Sequence, residues 1–253
     1  MARPMRRAFT LIEILVAIGI IGVLIAIIAP ALRGARGAAR ETVCLVNLKT
    51  CHADMQTYLD AEGEYPFLPA DEWYALSPPP GGSMHTGTHW DHATLWPSAL
   101  MELAPWPEHY AAWVCPGSPR TAGEPWIADP NDPRSLGDGR CSYALSDALR
   151  ADPRLWYPGT TGDPEALIAY LRPVRPHEVR STAGKVLFYD AEMAHMDPLA
   201  SEQKKDARPV GFVDGHAAIK RVSESTEPAP NPLAEGRATR LHDTPRGAHG
   251  VDY

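Results

Sequence analysis

Three histidines lie close together in a stretch rich in glycine and threonine: His85, His89 and His92. Imidazole nitrogens are common metal ligands, so this cluster is a candidate metal site. The spacing matches none of the usual zinc patterns, and no Glu-x-x-His element accompanies it. An exposed polar loop is therefore the alternative interpretation.

Four carboxylates lie near the ends of the two most convincing strands: Asp190, Glu192, Asp197 and Asp214. Carboxylate oxygens are the ligands that Ca²⁺ prefers, and the group could form an oxygen-rich calcium site. Solvated carboxylates in turns are the alternative. Calcium is the single cofactor that the sequence suggests here, and otherwise no cofactor is expected.

The chain contains four cysteines: Cys44, Cys51, Cys115 and Cys141. Cys44 and Cys51 are seven residues apart on a predicted helix, so their Cα atoms lie roughly 10.5 Å apart, beyond disulfide reach. Cys115 and Cys141 could pair if the domain is exported to an oxidising compartment. Buried free thiols are the alternative.

Familiar catalytic motifs do not occur in the sequence. It has no nucleophile elbow, P-loop, dinucleotide fingerprint or zincin helix, so we do not expect the protein to be an enzyme. The formal net charge is −7, whereas nucleic-acid binding needs a basic surface, so no nucleic-acid partner is expected.

The longest apolar run, Ile14 to Ala29, carries no charged residue. Extended to residues 9–32, it gives about 24 residues, or roughly 36 Å of helix, which would cross a hydrocarbon core of ~30 Å. Glu13 lies inside this block. A charge in a membrane helix is costly and usually has a function.

The motif Arg6-Arg7-Ala8-Phe9-Thr10-Leu11-Ile12-Glu13 precedes this run. It closely resembles the type IV prepilin signal, in which the apolar helix is kept after cleavage. The resemblance implies that a prepilin peptidase cuts between Ala8 and Phe9 and methylates the amino group of Phe9. It also implies that Glu13 pairs with the N-terminal ammonium of a neighbouring subunit during assembly. Ala8 is a departure, because the family usually has Gly there.

The resemblance implies a structural subunit, a pseudopilin or minor pilin of a type II secretion-like or type IV pilus-like assembly. Its partners would be the prepilin peptidase, sister subunits and the inner membrane. The basic leader predicts a cytoplasmic N-terminus and an exported C-terminal domain. A plain signal anchor is one alternative. Another is a membrane-tethered metal- or glycan-binding domain. The tryptophans at 73, 90, 96, 106 and 113 are expected to pack under a long loop, and a carbohydrate platform is the alternative.

A second resemblance begins at Cys44, where C-L-V-N-L-K is followed by Gly63-Glu64-Tyr65-Pro66. Together with Trp113 to Pro116, Cys141 to Ala144 and Phe212 to His216, it looks like the prepilin-type processing-associated proteins named after an H-x9-D-G motif. Lys204 departs from that motif, since it stands where the family has His.

The predicted fold is α+β and type IV pilin-like: a long N-terminal helix packed on a small antiparallel sheet with long loops. The expected organisation is a leader (1–8), a membrane helix (9–32), an amphipathic continuation (33–63), a soluble domain (64–222) and a flexible tail (223–253). Pro30 should break or kink the helix. Short strands are expected at 113–115, 142–145 and 185–190, and 210–222 should form a hairpin with a type I′ turn at Asp214-Gly215.

Overall fold

The computed structural model describes residues 11–67, 93, 96–100, 106–116, 141–160, 164–191, 206–232 and 238–253. The chain divides into two compact units, Met1–Arg40 and Glu41–Tyr253. The second unit contains every strand that the structure describes.

A single helix, α1, extends over Leu11–Glu62 and contains 52 residues. Pro30 lies inside it without ending it, which agrees with the expected continuation of the membrane helix into residues 33–63. The helix ends at Gly63, which adopts a left-handed φ of 78° and donates its N–H to Leu59 O at 2.9 Å. Glycine takes this conformation without a Cβ penalty, which makes it the usual terminator of a helix.

Four strands form one antiparallel sheet in chain order: β1 (Tyr143–Leu145), β2 (Val186–Asp190), β3 (Ala207–Phe212) and β4 (Ala217–Arg221). All five residues of β2 are buried. A central strand covered on both faces should be apolar throughout, as Val-Leu-Phe-Tyr is. The expected α+β class, with a long helix and a small antiparallel sheet, is confirmed.

In the described part of the chain, three short α-helices accompany the sheet: α2 (Pro97–Leu100), α3 (Trp106–Trp113) and α4 (Pro164–Ile168). The predicted strand at 113–115 is wrong, because α3 extends to Trp113 and the chain then turns. The predicted hairpin is present, but its turn is not type I′. That turn needs two positive φ values, and Gly215 supplies the one observed there, at 90°.

The main core forms where the second half of α1 packs on the sheet. Leu48, Met55 and Leu59 of α1 belong to one buried cluster with Trp96 and Phe188. The rings of Trp96 and Phe188 are 4.6 Å apart, and the Trp96 indole donates to Tyr143 O at 2.8 Å. The helix is therefore an integral part of the domain core.

The C-terminal residues differ from the expected flexible tail. Residues 238–253 return to the sheet, with Leu241 and Asp252 each only 2% exposed. Asp252 accepts hydrogen bonds from Val186 N–H at 2.8 Å and lies 3.2 Å from the fully buried Lys185 ammonium. A buried ion pair needs such compensation, and it is formed by residues far apart in sequence.

Candidate functional site

The first part of α1 is an exposed apolar surface. From Leu11 to Leu32 every residue is exposed, including Ile18 at 60% and Ile25 at 60%. The helix is long and apolar enough to cross a membrane by length and composition. Water disfavours such a surface, so this segment suits an apolar environment such as a bilayer.

Glu13 lies in the first turn of α1 and is exposed. A carboxylate in the first turn interacts favourably with the helix dipole. Ala8 and Phe9, the predicted cleavage pair, lie outside the described residues. Cleavage between Ala8 and Phe9, methylation of Phe9 and the assembly role of Glu13 therefore stay predictions.

The second part of α1 presents what we call the docking face, the buried residues Cys44, Asn47, Leu48, Cys51, Asp54, Met55 and Leu59. Three of these positions recur after seven residues: Cys at 44 and 51, a polar residue at 47 and 54, and an apolar residue at 48 and 55. A seven-residue repeat keeps one helix face towards a partner. This signal was available in the sequence, although the polar members were not predicted to be buried.

The polar members of the docking face are hydrogen-bonded to the domain. Asn47 Nδ2 donates to Val114 O at 3.2 Å and to Tyr143 OH at 3.3 Å. Asp54 accepts from Trp113 Nε1 at 3.0 Å and lies 2.9 Å from His109 Nδ1. Buried polar groups need partners, so these bonds define one position of the helix on the domain.

His52 connects α1 to the Asp214-Gly215 turn. Its Nε2 lies 3.0 Å from Val213 O, and a Cβ added at Gly215 would lie 3.0 Å from its ring. His216 stacks on Phe212 with ring centroids 4.1 Å apart. Two histidines therefore lie beside the turn, His216 from the hairpin itself and His52 from α1, while Lys204 stands at the position that the H-x9-D-G resemblance gives to histidine.

All four cysteines are buried, and none of them is in a disulfide in the structure. Cys115 Sγ instead lies 3.7 Å from Cys44 Sγ. The hydrogen bond with Cys115, together with burial, raises the pKa of the Cys44 thiol far above its ordinary value. The Cys115–Cys141 pair stays a prediction, and Cys44 is now a second candidate partner for Cys115.

Cys44, Cys115 and Asp190 could also hold a metal ion, because one ligand atom of each lies within 4.8 Å of the others. All three residues are fully buried. Thiolates with a carboxylate suit zinc better than calcium. Among the described residues, this is the only group of three potential metal ligands that lie so close together.

Of the predicted calcium group the structure describes Asp190 and Asp214, and it places them at different ends of β2. Asp190 ends β2 opposite Tyr143, whereas Asp214 follows Phe212, which pairs with Val186 at the other end of β2. Partial desolvation raises the pKa of Asp214, but hydrogen bonds from His216 outweigh it and leave the pKa below its ordinary value. Glu192 and Asp197 lie outside the described residues.

The histidine cluster His85, His89 and His92 also lies outside the described residues, so the structure does not bear on it. Of the tryptophans considered as a carbohydrate platform, Trp96 and Trp113 are buried and pack edge to face, with centroids 5.9 Å apart. These two rings therefore belong to the core.

Comparison with known families agrees with the geometry of α1. The family model of the prokaryotic N-terminal methylation motif matches residues 3–29. No curated protein and no solved structure matches the chain. The match covers the leader and the exposed apolar part of α1, and it supports a type IV pilin-like prepilin signal on a membrane-anchored protein.

Proposed function

We propose that this protein is a structural, non-catalytic subunit, a pseudopilin or minor pilin of a type II secretion-like or type IV pilus-like assembly. One observation carries the proposal: the methylation motif coincides with an exposed apolar segment that continues, within one helix, into the docking face. Such a helix can be held by a bilayer or by sister helices at one end while its other end holds the domain.

In this proposal prepilin peptidase cuts between Ala8 and Phe9 and methylates Phe9. The leader stays cytoplasmic because Arg3, Arg6 and Arg7 precede the apolar segment. The domain is then exported across the inner membrane.

Intact mass and N-terminal sequencing of the membrane-extracted protein test the processing step. We expect a mature chain that begins at N-methylated Phe9. The Ala8→Gly variant is the matched control, and it should be processed at least as fast because Gly is the usual family residue. A mature chain that begins after Pro30 would contradict the proposal, because it would show an ordinary cleaved signal peptide.

The assembly role rests on Glu13. In the predicted mature chain Glu13 is the fifth residue, and it lies inside the apolar segment. A neighbour's Phe9 ammonium can approach the carboxylate in a staggered bundle of helices, and each charge then compensates the other.

Glu13→Gln removes this charge and keeps the side-chain size. Membrane insertion should be unchanged or better, while cross-linking between sister subunits should fall about tenfold, which corresponds to ~1.4 kcal/mol. Glu41→Ala is the control, since it removes an exposed glutamate of the same helix beyond the apolar segment. Equal cross-linking in wild type and Glu13→Gln would count against the intersubunit pair.

A further inference from the structure

Four cysteines allow three disulfide connectivities, and the sequence suggests Cys115 with Cys141, because both lie in the expected exported domain and Cys44 and Cys51 are too far apart on one helix. The tertiary structure brings a different pair into contact. Cys44 lies on the docking face of α1, and Cys115 lies two residues after the end of α3. Their sulfur atoms are 3.7 Å apart, and both side chains are fully buried.

We infer that Cys44 and Cys115 form a disulfide that covalently links α1 to the domain. The inference rests on the exported topology of the proposed function, because disulfides persist in oxidising compartments. A disulfide has an S–S length of ~2.05 Å, so the sulfur atoms must approach by about 1.7 Å. Rotation of the two cysteine side chains can supply an approach of this size.

The chemistry is thiol–disulfide exchange with a disulfide oxidant, such as an exported thiol–disulfide oxidoreductase. While the chain folds and the thiols are still accessible, the thiolate of one cysteine attacks a sulfur of the oxidant and forms a mixed disulfide. The thiolate of the second cysteine then attacks the first cysteine's sulfur and displaces the oxidant's other thiolate. One S–S bond breaks in the oxidant and one forms in the protein. The two thiol protons end on the two reduced sulfurs of the oxidant.

The backbone around the pair is already held in place. Asn47, one turn after Cys44, donates to the carbonyl of Val114, the residue before Cys115. Ser142 N–H donates to Trp113 O at 2.9 Å, which ties the same segment to the start of β1. Two thiols fixed on opposite sides of one interface have a high effective concentration, which favours their bond.

Cys51 and Cys141 make different contacts. The Cys51 thiol donates to Ala112 O at 3.5 Å, and the Cys141 thiol donates to Tyr143 O at 2.8 Å. Cys51 is as fully buried as Cys44 and lies two helical turns along the same face. It therefore provides a closely matched control for substitution.

A metal ion is the competing occupant, because Asp190 lies within reach of both sulfur atoms. Structural zinc sites are usually closed by four Cys or His ligands. The described residues offer three ligands here, one of them a carboxylate. We therefore favour the disulfide, and a bound metal becomes an outcome of the test.

The experiment uses the purified full-length chain, reduced and unfolded and then refolded in detergent with oxidised glutathione, because the two thiols are buried in the folded protein. Free thiols are alkylated, and the peptides are mapped without reduction. We expect a peptide that joins the Cys44 and Cys115 segments, and a higher thermal midpoint in the oxidised protein than in the reduced one. Cys44→Ala should abolish the peptide and this midpoint difference, whereas Cys51→Ala should keep both.

Three results would overturn the inference: a Cys115–Cys141 peptide, four alkylated thiols after oxidation, or thiols protected by stoichiometric zinc until a chelator is added. The same mapping on protein alkylated during extraction from cells tests export separately. A link that forms with glutathione but is missing from the cellular protein would count against the exported topology and leave the pairing intact.

Discussion

Residues 11–32 and residues 44–59 share one helical backbone and a high apolar content, but they differ in burial. The earlier segment has every residue exposed, whereas the later one buries a face that includes Asn47 and Asp54. The earlier segment has apolar residues all round and no polar face, so it suits a partner with no fixed shape, such as lipid or sister helices. The later segment has specific hydrogen-bond partners, so it suits one fixed surface.

The comparison shows that apolar content alone does not tell where a helix is buried. Polar groups at fixed spacing distinguish the segment that packs on its own domain. This difference leads to predictions in which matched substitutions along α1 have unequal effects on the free energy of unfolding of the domain.

The largest expected effect is that of Leu48→Ala. Leu48 is 1% exposed in the main core, so its truncation should cost about 2–5 kcal/mol of domain stability through lost burial and a cavity. Leu24→Ala is the control at 52% exposure, and it should leave the domain midpoint unchanged. Thermal unfolding of both variants in detergent measures this. A similar loss of domain stability in Leu48→Ala and Leu24→Ala would show that both parts of α1 contribute equally to the domain.

A smaller effect is expected on acidification. Burial raises the pKa of Asp147, but Arg150 and His242 outweigh it and lower the pKa to about 2. The folded pKa lies below the ordinary value of about 4, so the ionised carboxylate stabilises the domain above pH 4. This contribution, about 2 kcal/mol, is lost as the pH falls towards 2.

Acid should therefore affect the domain more than the exposed half of α1, where residues 11–40 contain Glu13 as their single acidic residue. Urea unfolding from pH 6 to pH 2 checks the size of the effect. Asp147→Asn should weaken the pH dependence, while Glu224→Gln, at an exposed ion pair, should not. If the stability of Asp147→Asn depends on pH as strongly as that of the wild type, Asp147 is not the source of the acid sensitivity.

The smallest expected effects are those of alanine substitutions at two glycines with positive φ. One glycine lies in open space, and the other contacts α1. Gly215 has a φ of 90° and faces the His52 ring, whereas Gly63 has a φ of 78° with nothing near a new Cβ. Gly63→Ala should cost about 1 kcal/mol, mostly from the left-handed conformation. Gly215→Ala should cost about 1 kcal/mol more, because the ring of His52 must move.

The double variant Gly215→Ala/His52→Ala tests the contact directly. If His52 is the obstacle, the additional cost of the methyl group should disappear when the imidazole is removed. Chemical denaturation of the wild type, the two single variants and the double variant gives the coupling free energy between the two positions. A coupling near zero would mean that the turn and the helix tolerate each other without this contact.

Much of the fold followed from local patterns in the sequence. The apolar run, the helical stripe after it and Gly63 determine α1, because helix periodicity and termination depend on near neighbours. The continuous apolar run at Val186 to Tyr189 likewise indicated a buried strand, and Asp214-Gly215 indicated the hairpin. Trp113 was misassigned because a short apolar segment is ambiguous between helix and strand.

Burial of polar residues and pairing of distant ones were decided by the tertiary structure. The sequence alone determined a membrane-type helix with a prepilin-like signal, because those features are encoded in consecutive residues. It did not determine that the tail carries Asp252 back to Lys185, or that Cys115 lies beside Cys44. Those contacts depend on how α1 and the sheet pack together, and residues 71 positions apart meet only when that packing is complete.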